Sequence, residues 1–327
     1  VLIGYINHSI RSFPVDPWRI LEITVAGNTT MRDLFFGLDV GGLGRLPFRS
    51  VTESDWTQGK RPGTSVEVRS RELGLLANPE ARVYGLPLIG SHVGADTAAC
   101  ILATGYLEPG DTTLLMDIGT NTELVIRSGD RILAASCPAG PAFEGGFVKC
   151  GMPALEGAIE KVRIKDDLTV ETDLIGSGPP AGICGSGLVS ILGELSRIGA
   201  INERGRLNDR LDRFLVDPQH SIFLDEQDIS NLAQAKAANS AGLRILLRQL
   251  GIGWDRISRV YLAGAFARHL DLDAARRIGL IPPIPDDRIL RIGNASIEGA
   301  TATLLSTSAR RKLERFVTTV RHIELET

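Results

Sequence analysis

The residues best suited to chemistry lie between positions 114 and 126. An apolar strand ends in Asp117, a polar turn follows, and a second apolar strand runs to Ile126. The turn consists of Gly119, Thr120, Asn121 and Thr122. Such a turn can hold a phosphate, because glycine lets a backbone N–H approach an anion and the polar side chains donate further hydrogen bonds. Asp117 could hold Mg²⁺ through water or orient an attacking water. An ordinary hairpin with typical turn residues remains the alternative.

Two further turns of small residues precede predicted helices. Residues 259–262 are predicted to be a buried strand that leads into Gly264 and Ala265, which leave room for a base or ribose beside the backbone. Gly185 and Gly187 belong to a glycine-rich run before an apolar periodic helix and could form an anion-binding nest. Close strand–helix packing explains the first turn equally well, and a plain connector explains the second. Three such motifs in this order indicate a nucleotide site more specifically than any one motif does.

Glu144 lies between glycines in the long loop at residues 136–147. Flanking glycines suit a backbone that moves or approaches a ligand closely, so Glu144 is a candidate water-orienting base or partner contact. An exposed glutamate in a structural loop is the alternative.

The elements that must position these residues follow a repeated α/β pattern. Residues 23–30 resemble 261–265, and residues 92–98 resemble 297–303, which suggests a duplicated lobe, although chance similarity stays open. Hydrophobic periodicity and turn residues predict the main segments along the chain. These are a helix near 30–38, irregular surface at 41–71, a strand at 83–88, a helix at 94–106, a hinge at 107–111 and a long helix from Asp225 to Gly251.

Composition is typical of an α/β protein without membrane or nucleic-acid partners. The 327 residues are 43% hydrophobic, enough to bury a core over two lobes. A net charge of −3 gives no sign of the basic surface that binds nucleic acid. The basic residues 310–312 are predicted to be a solvated face. No apolar run reaches the roughly 20 residues that span a bilayer, and residues 1–6 are too short for a signal peptide. We therefore predict a cytoplasmic protein.

The cysteines are widely spaced and give no case for a metal or iron–sulfur site. They are Cys100, Cys137, Cys150 and Cys184. We predict small buried thiols in a reducing compartment.

A duplicated lobe that begins with a phosphate hairpin resembles the superfamily of actin, sugar kinases and heat-shock chaperone ATPases. The resemblance implies an α/β fold in which two lobes clamp ATP. Only the second lobe shows its hairpin here, and the chain starts at Val1 without a methionine. We therefore expect an N-terminally truncated chain, with the remainder of the first lobe at 1–107 and the second lobe at 108–327.

A set of motifs along nearly the whole chain resembles the ATP-dependent reductive activators of corrinoid proteins. They lie at residues 25–31, 93–96, 117–123, 140–145, 150–152, 182–187 and 262–266. The resemblance implies that ATP drives the return of inactive Co(II) corrinoid to Co(I). It also implies that the electron comes from a plant-type [2Fe-2S] domain, expected only in the missing N-terminal region.

The motifs and the resemblance together assign roles to individual residues. Asp117 and Glu144 are the predicted catalytic residues, and Asp117 is also the predicted Mg²⁺ ligand. The predicted ATP-binding residues are Asn28, Thr29, Gly119, Thr120, Asn121, Thr122, Gly185, Gly187, Gly264 and Ala265. Thr122 and Ala265 replace glycines common in the family, and both could narrow the pocket.

The predicted partners are a corrinoid methyltransferase protein and ATP, with a homodimer as a candidate assembly. Three other functions stay open. A small-molecule kinase would need a catalytic Asp in the cleft, a 2-hydroxyacyl-CoA dehydratase activator would need a cysteine pair for a shared [4Fe-4S] cluster, and an actin-like scaffold would polymerise with ATP.

Overall fold

The computed structural model describes residues 1–105, 110–202, 204–208 and 212–325. The chain divides into two compact units. Unit 1 comprises residues 1–110, 129–135 and 294–324, and unit 2 comprises 111–128, 136–293 and 325–327. Most of the predicted hinge, residues 107–109, lies outside the described residues. The assignment of 1–107 and 108–327 to two ATPase lobes stays a prediction.

Unit 1 joins helices and strands from both ends of the chain. Its helices are α1 (Leu2–Arg11), α2 (Thr29–Phe35), α3 (Val51–Thr57), α4 (Ser70–Leu73), α5 (Ala95–Ala103), α10 (Ala295–Leu305) and α11 (Thr307–Val317). Its strands are β1 (Glu22–Val25), β2 (Val66–Arg69), β3 (Arg82–Gly85), most of β6 (Arg131–Cys137) and β14 (Arg321–His322). One sheet has the order β1-β3-β2, with β1 parallel and β2 antiparallel to β3, and β14 pairs in parallel with β6.

Helices α5 and α10 pack against each other at very close range within unit 1. A Cβ at Gly299 would collide with the backbone of Ala99, so only glycine permits this approach. The two helices carry the segments 92–98 and 297–303 that resemble each other in sequence. Helix α10 also approaches β1, since Thr24 Oγ1 donates a hydrogen bond to Ala300 O at 3.0 Å.

Two expectations for unit 1 are wrong. The segment 41–71, expected to be irregular, contains α3 and β2, because Ser50 caps α3 by accepting from Thr52 N–H and Val66 pairs with Gly85. Arg310, expected in a solvated face, is only 7% exposed. Its guanidinium lies 4.6 Å from the Tyr84 ring centre and forms an ion pair with Glu22. These two interactions offset the cost of burying the positive charge.

Unit 2 contains the remaining elements. Its strands are β4 (Thr113–Ile118), β5 (Thr122–Ser128), the end of β6, β7 (Ala158–Ile164), β8 (Val170–Leu174), β9 (Gly182–Ile183), β10 (Arg213–Asp217), β11 (Ile222–Asp225), β12 (Arg259–Ala263) and β13 (Ile289–Gly293). Its helices are α6 (Gly185–Arg197), α7 (Glu226–Leu250), α8 (Ala265–Arg268) and α9 (Leu272–Arg277).

The main sheet of unit 2 brings two of the sequence motifs together. Strands lie in the order β13-β12-β4-β5, with β12 parallel to β4 and β5 antiparallel to β4. The register pairs Ala263 with Asp117, so the turn after β12 lies beside the hairpin after β4. A second sheet, β8-β7-β9, packs against α6. The predicted hairpin, the strand before Gly264 and the long helix ending at Gly251 are all present.

No helix within the described ranges combines the length and the apolar character needed to cross a bilayer.

Candidate functional site

Asp117 and Gly264 touch at the carboxyl ends of two neighbouring parallel strands. Gly264 has φ +93°, and a Cβ at this position would lie 2.8 Å from Ile118 O and 3.1 Å from Asp117 Oδ1. Gly264 N–H donates to Gly293 O at 3.0 Å, which fixes the turn. A side chain at 264 would therefore displace the Asp117 carboxylate, and glycine is required by both conformation and space.

The hairpin turn between β4 and β5 is closed by its own backbone. Gly119 N–H donates to Asn121 O at 2.9 Å. Gly119 does not have a positive φ, and a Cβ there would meet only Asn121 O at an ordinary 3.6 Å. The turn itself thus has room for an alanine, so the packing of the fold does not explain the glycine.

Glu144 faces the same hairpin from a neighbouring loop. It ends a short 3-10 helix, Pro141–Glu144, and is followed by Gly145 with φ +85°. Thr120 Oγ1 donates a hydrogen bond to Glu144 Oε2 at 2.8 Å. The two predicted site motifs are therefore in direct contact, and a polar ligand at the turn would meet both a hydroxyl and a carboxylate.

The start of α6 forms another wall of the site. A Cβ at Gly185 would collide with Phe143 O and would lie 2.8 Å from the Phe266 ring, so glycine permits this packing. The rings of Phe143 and Phe266 are 6.0 Å apart. Backbone N–H groups at the start of the 13-residue α6 have no partner within the helix, and the helix dipole there favours negative charge.

These elements enclose a pocket of about 910 Å³ within unit 2. The size suits a nucleotide-sized ligand, and its walls are mostly apolar. Its lining residues are Asp117, Ile118, Gly119, Phe143, Glu144, Met152, Pro153, Ala154, Glu160, Leu174, Ile175, Gly176, Cys184, Gly185, Ser186, Gly264, Phe266 and His269. Five of the predicted site residues meet here. They are Asp117, Gly119, Glu144, Gly185 and Gly264.

Other predicted residues lie elsewhere in unit 2. The Thr122 side chain is completely buried, and its Oγ1 has no hydrogen-bond partner in the described structure. A Cβ at Gly187 would collide with Ile159 O, so this glycine serves helix–strand packing. Thr120 and Asn121 are exposed at the turn without lining the pocket. Ala265 begins α8, but its side chain lies outside the described part of the chain.

Asn28 and Thr29 belong to unit 1. Asn28 caps α2 by accepting from Met31 N–H at 2.9 Å, and the Thr29 side chain is buried. No residue of unit 1 lines the pocket, within the ranges described.

Several lining residues were not singled out from the sequence. Phe143, Met152 and Phe266 lie in sequence motifs shared with the family, but the sequence assigned no function to these three residues. Glu160 and His269 belong to no such motif. A single charged residue in a strand and a single histidine after a helix are ordinary features, so the sequence did not mark them. Only the folded chain places them at the pocket.

The charge of the pocket is unusual for a site that would take an anion. Among the residues that the structure describes, no lysine or arginine lines it, whereas three carboxylates do. They are Asp117, Glu144 and Glu160. A phosphate would therefore need backbone N–H groups and a divalent cation to bind beside these carboxylates.

Comparisons with known proteins cover nearly the whole chain. Residues 111–327 match the family described as the C-terminal domain of RACo, the ASKHA domain, and residues 2–108 match the RACo middle region. The corrinoid activation enzyme RamQ of Eubacterium limosum is 32% identical over 98% of this chain. The [Co(II) methylated amine-specific corrinoid protein] reductase of Methanosarcina barkeri is 26% identical over 94% of it.

A solved structure gives the same result for the fold. The reductive activator for corrinoid,iron-sulfur protein superposes with a TM-score of 0.85 at 33% identity over 99% of this chain. The predicted actin-like ATPase fold is thereby confirmed. The chain spans 56% and 60% of the two curated relatives and 54% of the solved one, or somewhat more than half of each.

Proposed function

Because the chain belongs to the RACo family, we propose that it is the nucleotide-binding part of a reductive activator that returns a corrinoid protein from Co(II) to Co(I). The observation that carries the proposal is the pocket in which Asp117, Gly119 and Gly264 meet. Two relatives are named for corrinoid activation or reduction.

The pocket fits Mg²⁺-ATP in its size and in the character of its walls. The phosphates would lie at Gly119 and at the start of α6, where free space and backbone N–H groups coincide. Asp117 is the residue we expect to hold Mg²⁺, which would supply the positive charge that the lining side chains do not provide. The apolar walls suit the base.

The chain's own residues then have distinct tasks. Glycine at 264 leaves the Asp117 carboxylate its space, since a Cβ there would crowd both Ile118 O and Asp117 Oδ1. Glu144, held by Thr120 Oγ1, would orient a water molecule near the phosphates. The neighbouring rings of Phe143 and Phe266 line the pocket and would shield the phosphates from solvent.

The partner is proposed to be a corrinoid protein, which accepts one electron when its Co(II) becomes Co(I). We place the electron donor, a [2Fe-2S] centre, in a domain outside this stretch of chain, as the resemblance implies. Nucleotide binding would favour the conformation that docks the corrinoid protein, so that ATP shifts a population of states. A homodimer and a cytoplasmic location remain part of the proposal.

Gly119→Ala tests nucleotide binding without disturbing the fold. The added methyl group meets no protein atom closer than 3.6 Å, but it would occupy the space proposed for a phosphate. In the full-length protein, we expect calorimetry to show at least a ~10-fold weaker affinity for Mg²⁺-ATP, about 1.4 kcal/mol.

Gly44→Ala is the matched control, because Gly44 is exposed and a Cβ there meets nothing within 4 Å. It should bind ATP like the parent protein. If the parent protein binds no nucleotide, or if Gly119→Ala binds as tightly as Gly44→Ala, the proposed site is wrong.

A further inference from the structure

Glu160 is the extra residue of a β-bulge in strand β7. Ile159 pairs with Leu174 and Lys161 pairs with Asp173, so Glu160 has no partner on β8. Bulges of this kind interrupt the alternation of a strand and turn one side chain in a new direction, often next to a functional site. Here the side chain of Glu160 lines the pocket together with Leu174.

The Glu160 carboxylate is free to accept hydrogen bonds from a ligand. Among the described residues nothing donates a hydrogen bond to it, and His269 Nδ1 approaches its Oε2 only to 3.9 Å. His269 follows α8, the short helix that begins directly after Gly264. Because both residues also border a second cavity, we place them at one end of the pocket, on elements other than the β4–β5 hairpin.

The charges around this end disfavour a phosphate that brings no cation with it. Glu160 and His269 also border a second cavity of about 370 Å³, whose walls include Asp173, Asp271 and Asp286. Two cations, Lys161 and Arg291, lie in the same wall, and the Arg291 guanidinium donates to the carbonyl oxygens of Arg268 and Leu270. The carboxylates of that wall outnumber them. An acidic end repels a triphosphate and attracts neutral groups that donate hydrogen bonds.

On the basis of the proposed function, we infer that Glu160 is a specificity-determining residue that accepts hydrogen bonds from the nucleoside of the bound nucleotide. The nucleoside carries donors of two kinds, the ribose hydroxyls and the exocyclic amino group of adenine. Hydrogen bonds to a charged acceptor discriminate strongly, because an analogue without the donor leaves the carboxylate unpaired.

Binding of three nucleotides to the full-length protein tests this inference. Calorimetry with Mg²⁺-ATP, Mg²⁺-2′-deoxy-ATP and the Mg²⁺ complex of purine riboside triphosphate measures the loss of the 2′-hydroxyl and of the 6-amino group separately. The parent protein should prefer ATP by roughly 10-fold or more over at least one analogue. Glu160→Ala should reduce that preference to about 1 and Glu160→Gln should reduce it in part, while each variant still binds all three nucleotides.

Glu171→Ala is the matched control, since Glu171 is an exposed glutamate on β8 that pairs with Lys165. It should keep the parent preference. The analogue whose discrimination disappears in Glu160→Ala identifies the group that Glu160 contacts. Unchanged discrimination against both analogues in Glu160→Ala, or no preference in the parent, overturns the inference, whereas a parent protein that binds no nucleotide overturns the proposed function instead.

Discussion

At the scale of single residues, burial distinguishes the four cysteines. Cys100, Cys137 and Cys184 are buried and Cys150 is partly exposed, so the prediction of buried thiols is confirmed for three of the four. Burial, together with the nearby Glu123 carboxylate, raises the pKa of Cys137 to about 12. Helix α7 passes directly over this thiol, since a Cβ at Gly242 would collide with Cys137 Sγ.

The raised pKa of Cys137 predicts a loss of stability in alkaline solution. A thiol that stays neutral in the fold stabilises it fully below its unfolded pKa, and this contribution is lost as pH rises from about 9 towards about 12. Between pH 9 and 10 the free energy of unfolding should fall by up to ~1.4 kcal/mol through this group.

Thermal unfolding of the parent protein and Cys137→Ala between pH 8 and 10.5 measures the effect. The decrease should be shallower in Cys137→Ala and unchanged in Cys150→Ala. Tyr84, whose pKa is raised by burial and by Glu314, accounts for part of the remaining slope. Identical slopes in all three proteins would contradict the prediction.

At the scale of elements, α7 is the longest helix among the described residues, and it is capped at both ends. Asp225 accepts from Asp228 N–H at 3.0 Å, Asp228 accepts in return from Asp225 N–H at 3.2 Å, and Gly251 ends the helix with φ +72°. Lys149 forms an ion pair with Asp225, and its hydrogen bond lowers the pKa of that carboxyl. The loop that carries Glu144 is also fixed to α7, because Asn231 Nδ2 donates to Phe147 O at 2.7 Å.

Removal of the cap should loosen the first turn of α7. Asp225→Ala is expected to cost about 1 kcal/mol of helix stability, while Asp225→Asn, which keeps an acceptor, should cost less. Hydrogen exchange of the peptide at the start of α7 measures this locally, with faster exchange in Asp225→Ala. Equal exchange in both variants would mean that loss of the ion pair with Lys149, and not loss of the cap, determines the stability of the first turn of α7.

At the scale of the whole molecule, the chain returns from unit 2 to unit 1 to complete it. Unit 1 needs α10 and α11 from residues 294–324, and its helix α5 is packed against α10. The boundary between the two matched family regions, near residue 110, therefore does not separate independent folding units.

At this scale we predict that function depends on Asp117. In the full-length protein, Asp117→Asn should lower the rate of ATP-stimulated Co(II) reduction on a corrinoid protein by roughly 10²-fold or more, the usual scale for a residue that positions an acid, base or water. The fold should persist, because the amide has the same shape as the carboxylate. Asp130→Asn, an exposed aspartate elsewhere, is the control, and spectroscopic appearance of Co(I) is the measurement. An unchanged rate would remove Asp117 from the mechanism.

The sequence by itself determined the elements that carry its strongest local patterns. The apolar strands that flank Gly119, the periodic helices α6 and α7 and the turn at Gly264 are local patterns, and all are present. The sequence also showed the family resemblance, because the family's motifs occur along the chain in the same order. Local patterns failed at residues 51–57 and 66–69, where a buried serine cap and sheet pairing outweigh a composition rich in turn residues.

Only the tertiary structure decided which of the candidate residues meet. Strand register places Gly264 against Asp117, complete burial removes the Thr122 side chain from the pocket, and close packing explains Gly187. Glu160 reaches the pocket through a bulge whose position depends on the register with the following strand, β8. Sequence spacing fixes chemistry along one strand or turn, but contacts between separate elements depend on register and packing, which no local pattern encodes.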